Sequence, residues 1–323
     1  MTVRMPDPLA AATAALLHRF RRQRPLRGGS LLVTLFGDAI APRGGAITLG
    51  SIIELAAPFG LNERLVRTAM ARLAEDGWLA SRRVGRLSEY RLSPGGAERF
   101  AAATRQIYGV PEARWSGVWS LVLLPEAGRR AREAAREALG WAGFGEPLPG
   151  VFVHPALPQA EAGALLRSSP ALAGALLMTG RGATAGAPRR IARLGWDLDG
   201  LAARYRRFLA QFEPVSEALG GRAAPGPGPA FLLRTLLIHE YRKVHLRDPQ
   251  LPPALLPEGW VGANAYRLCR DLYARVLSTS EAHLDEVARR LDGPLPPAGP
   301  ALRERFGGGE RAIAARRSAR EGR

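Results

Sequence analysis

Cysteine occurs once in this chain, at Cys269, and lysine once, at Lys243. A single thiol cannot close an intramolecular disulfide or build a structural zinc site, which removes disulfide scaffolds and zinc fingers and favours a cytoplasmic setting. Between Tyr266 and Leu272 at helical spacing, Cys269 reads as a small packed hydrophobe. No apolar run approaches the ~20 residues of a membrane span, and no secretory apolar core with a cleavage site opens the chain. His239 and His245 lack the i, i+4 spacing of a metalloprotease helix. Gly180, Gly182 and Gly186 fit neither a P-loop nor a dinucleotide fingerprint, and the P-loop lysine is missing. Paired acids such as Asp197 with Asp199, or Asp285 with Glu286, read as surface charge. No catalytic residue, metal site or cofactor is expected.

What is present describes a globular protein: 323 residues, 46% hydrophobic and 23% charged, enough for two or three cored domains. The formal net charge of +17 points to a polyanionic partner. Nearly all of it is arginine, in a background rich in alanine, glycine and proline. A GC-rich genome produces the same bias, so charge alone decides nothing.

The informative stretch is Leu61–Tyr90. Asn62 can cap a helix opened by Glu63 and Arg64. At ~100° per residue, Leu65, Val66, Ala69, Met70 and Leu73 share one side, and Arg64, Arg67, Thr68, Arg72 and Glu75 the other. Gly77 supplies the stop. Such a face also fits an ordinary solvated helix. Its surroundings shift the balance. Ser30–Ala41 reads as a first helix, and Ser51 opens a second with Glu54 at capping-box spacing. After Gly77, two strands run through Leu79 and Leu87–Leu92, joined by a turn that carries Arg82, Arg83 and Arg86 around Gly85. Helix, helix, turn, helix, strand, turn, strand is the order of a winged helix-turn-helix, with arginine on both helix and wing. A further helix spans Ala97–Ile107.

Downstream, strands at Gly117–Pro125, Gly150–His154 and Ala175–Thr179 alternate with helices at Gly128–Leu139 and Glu161–Arg167. This predicts a ferredoxin-like α+β layer. From Trp196 the chain is helical, interrupted by Gly220–Pro229. Phe231–Leu246 is strongly apolar and basic at its far end, and helices follow from Ala263 and from about Ser280 to Leu291. The fold class is α+β multidomain. Residues 1–28 are expected as a basic flexible arm, 29–110 as the winged helix-turn-helix, 111–190 as the ferredoxin-like domain, 191–295 as a helical domain and 296–323 as a disordered basic tail.

The segments SLLVTLFGD (Ser30–Asp38), NERLVRTAMARLAEDGWL (Asn62–Leu79), GRLSEYRLSPGG (Gly85–Gly96), GVWSLVLLPE (Gly117–Glu126) and HEYRKVHLRDPQLPPALLPEGWVG (His239–Gly262) resemble the PaaX family of repressors of phenylacetic acid degradation operons. The resemblance runs from about Ser30 to the 280s. It implies a central domain of Cas2-like ferredoxin fold, a homodimer on partly palindromic double-stranded operator DNA, and release by phenylacetyl-CoA or a related acyl-CoA. Leu87 stands where many relatives carry a second arginine. In this reading Arg64, Arg67 and Thr68 reach base edges, Arg72 a phosphate, and Arg82, Arg83 and Arg86 the flanking backbone. A CoA thioester needs arginines beside an aromatic pocket, for which Arg234, His239, Tyr241, Arg242, Lys243 and Trp260 are candidates. Tyr241 and Trp260 equally suit a packed core. Two alternatives stay open: a metal-dependent nuclease built on the Cas2-like domain, and a DNA-binding regulator without a small-molecule effector.

Overall fold

The computed structural model describes residues 7–23, 28–111, 114–124, 128–155, 157–182, 184–220 and 222–308. Two compact units share the chain: one combines Met1–Val110, Arg206–Leu246 and Asn264–Arg323, the other Pro111–Tyr205 and Arg247–Ala263.

In the first unit, the expected flexible arm contains a helix, α1 (Pro8–Arg21), capped by the Asp7 carboxylate and buried through Leu9, Leu16 and Phe20. Those three apolar residues fall on one stripe, which is why the segment packs despite its basic flank. Residues 1–6 and 24–27 lie outside the described residues. Helix α2 (Gly28–Leu35) buries Leu31, Leu32 and Leu35, then widens into a π turn over Phe36–Ile40 and a 3-10 turn over Ala41–Arg43. The wide turn buries Asp38, Ala39 and Ile40 consecutively, which a regular α-helix on a flat core does not do.

A strand that periodicity did not reveal, β1 (Ala46–Thr48), comes next; its three buried residues are too few to show alternation. The cap of α3 (Leu49–Ala56) is Thr48, whose hydroxyl accepts from the Ser51 amide, so Ser51 is a buried residue of the first turn and not the expected cap. Helix α4 (Glu63–Glu75) is capped as expected: Asn62 Oδ1 accepts from Leu65 N at 2.9 Å, and Val66, Ala69 and Met70 are buried. Gly77 at φ 71° turns the chain out. Strands β2 (Leu79–Val84) and β3 (Leu87–Leu92) pair as an antiparallel hairpin, and β1 adds to the other edge of β3. Helix α5 (Pro94–Tyr108), capped by Ser93, closes the module.

The second unit is a four-stranded antiparallel sheet of β4 (Trp119–Leu123), β5 (Gly145–Leu148), β6 (Val151–His154) and β7 (Leu176–Gly180), ordered β5-β6-β4-β7. With α6 (Arg129–Trp141) and α7 (Gln159–Ser168) this is the β-α-β-β-α-β arrangement of a ferredoxin-like domain. Strand β5 escaped the sequence reading because GEPL carries both glycine and proline. Residue parity divides the core. Val122 and Phe152 face α6 and α7 with Ala135, Leu139 and Ala162, while Trp119 and Val153 face Ala192 of α8 (Ala187–Gly195), Leu198, Leu251 and Leu255.

The unit boundary falls within α9 (Leu198–Leu219), whose buried Leu201, Tyr205, Phe208, Phe212 and Leu219 keep helical spacing. In the first unit α10 (Pro227–His245) is buried on nearly all sides. Helix α11 (Val261–Val287) is one continuous helix where two were expected; Ser280 does not start a second, because its hydroxyl bonds back to Leu277 O inside the helix. The expected disordered tail is ordered as far as residue 308. A short ladder, β8 (Arg289–Arg290) with β9 (Gly293–Pro294), leads to α12 (Pro300–Arg303) and a buried Arg305 and Phe306. Residues 309–323 lie outside the described residues.

Candidate nucleic-acid interface

The amphipathic pattern of α4 fixes which side meets solvent. With Val66, Ala69 and Met70 turned inward, Arg64, Arg67, Thr68 and Arg72 are all exposed. Arg67 is held along the helix by Glu63, Nε donating to Oε1 at 2.8 Å, and Thr68 Oγ1 donates to Arg64 O at 2.9 Å. Among the described residues, the side chains of Arg64 and Arg72 have no hydrogen-bond or ion-pair partner.

The β2–β3 hairpin presents Arg82, Arg83 and Arg86 to solvent, with Gly85 at φ 58° making the tight turn. Arg83 Nε donates to Gly85 O at 3.1 Å, which braces the tip. Val84 and Leu87, paired across the tip, are 50% and 58% exposed. The base of the hairpin is anchored. Ser93 Oγ donates to Gly77 O at 2.6 Å, Trp78 packs edge-on against Phe100 of α5, and the buried Glu89 carboxylate accepts from Leu291 N at 2.9 Å. Helix and hairpin therefore present six arginines and a threonine on braced backbone, with Glu63 as the intrahelical counter-charge of Arg67. Fixed guanidinium forks suit phosphate oxygens and the O6/N7 edge of guanine.

The residues expected to hold an effector are placed differently. Arg234 is fully buried: Nε donates to Asp38 Oδ2 at 2.7 Å, Nη2 to Asp38 O at 2.8 Å, and Nη1 pairs with Glu281 and with Ser280 Oγ. His239 is buried against Thr34 Oγ1 at 2.9 Å and edge-on to Phe20; burial, then Arg242 and Lys243, hold its imidazole well below the ordinary range, so it is neutral. Tyr241 stacks on His245 and packs on Phe208. Arg242 donates to Ser30 and Thr34, and Lys243 pairs with Glu240. Trp260, in the second unit, packs edge-on to Tyr205. Arg234, His239 and Tyr241 are thus buried in the core of the first unit, while Arg242 and Lys243 are half-buried and engaged by neighbours on α2 and α10.

Sequence reasoning missed the group that organises this interior. Asp38 accepts from Tyr108 Oη (2.6 Å), Tyr273 Oη (2.9 Å), Arg234 and Arg305 Nη1 (2.6 Å). Burial opposes its charge, but Arg234, Arg305 and the two hydroxyls outweigh burial and hold the carboxyl below its ordinary range. Burial also pushes Tyr273 up to about 12, so the hydroxyl stays protonated as a donor. Arg43 extends the network to Glu281 and Asp285. One signal was in the sequence: a lone carboxylate in the apolar run SLLVTLFGDAIA. Among the described residues, no group of three or more His, Cys, Asp or Glu side chains is placed to hold a metal ion.

Comparison with known proteins follows the same order along the chain. Residues 27–96 match the PaaX-like protein family model, 112–192 the PaaX protein central Cas2-like domain and 196–286 the PaaX-like protein C-terminal domain. The chain is 35% identical over 288 residues to the transcriptional repressor PaaX of Escherichia coli (strain K12), covering 88% of this chain and 91% of that protein. A solved structure of an uncharacterized protein from Mycobacterium tuberculosis is 26% identical with a TM-score of 0.49, over 72% of this chain and 89% of that one.

Proposed function

The chain belongs to the PaaX family, and from that membership we propose that it is a transcriptional repressor of a phenylacetate or related aromatic-acid catabolic operon. It is a regulator and not an enzyme, a reading supported by its similarity to a transcriptional repressor. Residues 28–108 act as a winged helix-turn-helix, with α3 and α4 as the helix pair and β2–β3 as the wing. The carrying observation is the exposed arginine face of α4 beside a cationic hairpin of the same sheet module. In this reading α4 enters the major groove, Arg64, Arg67 and Thr68 meet base edges, Arg72 a phosphate, and Arg82, Arg83 and Arg86 the flanking backbone.

The protein acts as a homodimer on a partly palindromic operator and leaves it when phenylacetyl-CoA or a related acyl-CoA binds. Release is a population shift, which requires the ligand to prefer the DNA-incompetent state. Mobility-shift titration with the upstream region of the operon tests both parts. The expected result is sequence-selective binding that weakens steeply with salt and is reversed by one member of an acyl-CoA panel. Binding that no acyl-CoA reverses removes the effector half; metal-dependent cleavage of the same DNA would replace the repressor reading with a nuclease.

A further inference from the structure

The second unit holds an open pocket of about 200 Å³ lined by Trp196, Asp197, Leu198, Leu201, Arg204, Arg247 and Pro249. A void of about 150 Å³ already takes a benzene ring. Its apolar side is rigid. Trp196 is half-buried and stacks on Trp119 at 6.3 Å and 25°, and Leu198 and Leu201 are buried in the first turns of α9.

Its cationic residues come from two ordered backbone segments. Arg204 projects from α9. Arg247 sits on a turn held by the Asp248 carboxylate, which accepts from Tyr205 Oη at 2.6 Å and from Gln250 N at 2.7 Å. Gln250 adopts φ 51°, a left-handed conformation uncommon for a residue other than glycine, asparagine or aspartate, which the tyrosine-clamped turn maintains. Among the described residues neither the Arg204 nor the Arg247 side chain has a hydrogen-bond or ion-pair partner. The one carboxylate in the lining, Asp197, accepts from Gly200 N at 2.9 Å and so caps α9, which leaves two guanidiniums against one engaged carboxylate. Two unpaired guanidiniums thus share one lining with an indole and two leucines, a combination suited to an anion that carries a flat apolar group.

We infer that this pocket binds an organic anion bearing an aryl group, the arginines taking its carboxylate or phosphate and Trp196, Leu198 and Leu201 its ring. The inference deepens the effector part of the proposed function and rests on it for the ligand class. Free aryl carboxylates and aryl-CoA thioesters both supply this chemistry, and separate titrations distinguish them.

The test is calorimetric titration of the full chain, without DNA, with phenylacetate, CoA and phenylacetyl-CoA. At least one aryl probe binds, CoA alone binds at least tenfold more weakly than the tighter aryl probe, and Arg204→Glu and Arg247→Glu each weaken that probe at least tenfold. Arg193→Glu, at an exposed position of α8, leaves it unchanged. Arg204→Gln and Arg247→Gln, which keep side-chain bulk, replace any reversal variant whose thermal midpoint falls. The proposal is overturned if neither aryl probe binds the wild-type chain, if CoA binds as tightly as the tighter aryl probe, or if the arginine variants bind like wild type. Failure of the DNA reading appears separately, as loss of operator retardation without ligand.

Discussion

Arg43, Arg234 and Arg305 are 4%, 0% and 8% exposed, whereas Arg64, Arg67, Arg72, Arg82, Arg83 and Arg86 of the same unit stand in solvent. The side chain is the same and the surroundings are opposite. The buried three meet Asp38, Glu281 and Asp285, so their charges balance inside the unit. Of the exposed six, Arg67 alone has a carboxylate partner among the described residues, and a surface pair of that kind contributes only ~0–1 kcal/mol. These three buried guanidiniums find their anions within the chain; the exposed ones stay available for an anion from outside. Arginine count therefore says little about nucleic-acid binding, and the placement of acids says more.

The comparison breaks most easily at Asp38. Asp38→Ala leaves Arg234 and Arg305 buried without their shared carboxylate and strips the acceptor from Tyr108 and Tyr273. Breaking a buried ion pair from one side typically costs ~3–5 kcal/mol. Urea denaturation followed by circular dichroism should show a loss of that size. A loss under about 1 kcal/mol would mean that the interior arginines do not depend on their balance.

Arg67→Ala probes the other side. Stability should change by less than about 0.5 kcal/mol, since only a surface pair is lost. Operator affinity should fall by ~1–3 kcal/mol, with relaxed preference at one base pair. Unchanged affinity and selectivity in a competition titration would take α4 away from the bases.

The exposed set was legible in the sequence because its signals are local. Asn62 caps, Val66, Ala69 and Met70 stripe, Gly77 stops and Gly85 turns, all within thirty residues. The buried set was not. Nothing local tells Arg234 that its partner is Asp38, 196 positions earlier, or Arg305 that the same carboxylate receives it from 267 positions away. The surroundings of the candidate effector residues were hidden for the same reason: basic and aromatic residues on α10 look alike whether they face a ligand or a packed core. The segment 296–308 read as a tail because its proline, glycine and arginine lack periodicity. Its order comes from contacts such as Arg43 Nε to Pro296 O at 2.9 Å and Gly299 N to Pro42 O at 2.9 Å. Strand β1 was simply too short.

Acid separates the interior from the surface in a second way. His239 has its folded value held well below the ordinary 6.5, first by burial and then by Arg242 and Lys243. Below pH 6.5 the unfolded chain takes up a proton that the folded chain refuses, so stability falls by roughly 1 kcal/mol per pH unit until the folded value is reached. Asp38 behaves differently. Its carboxyl is depressed below 3.8, so its contribution is intact above that pH and is lost only as pH falls through the folded value. His154, lowered to about 4 by burial, adds to the acid loss. Denaturation at pH 7.0 and 5.5 should therefore show a smaller drop for His239→Gln than for wild type, Gln keeping a hydrogen-bonding group towards Thr34. An equal drop would place the acid sensitivity elsewhere.

The smallest effects belong to the hairpin, and they sharpen the distinction between reading and holding. Arg82, Arg83 and Arg86 sit on an exposed ladder whose tip side chains, Val84 and Leu87, are themselves about half exposed or more. Alanine at any one of the three should leave stability nearly untouched and weaken binding to operator and unrelated DNA alike. The slope of log affinity against log salt should flatten by about 1 for each phosphate contact removed. Arg83 should also loosen the tip, because its Nε bond to Gly85 O is lost, so its variant should show the larger gain in hairpin proteolysis. Selective loss of operator binding at unchanged slope would make the hairpin a reader of bases. A stability loss approaching that of Asp38→Ala would erase the line between arginines that hold this fold and arginines that hold its partner.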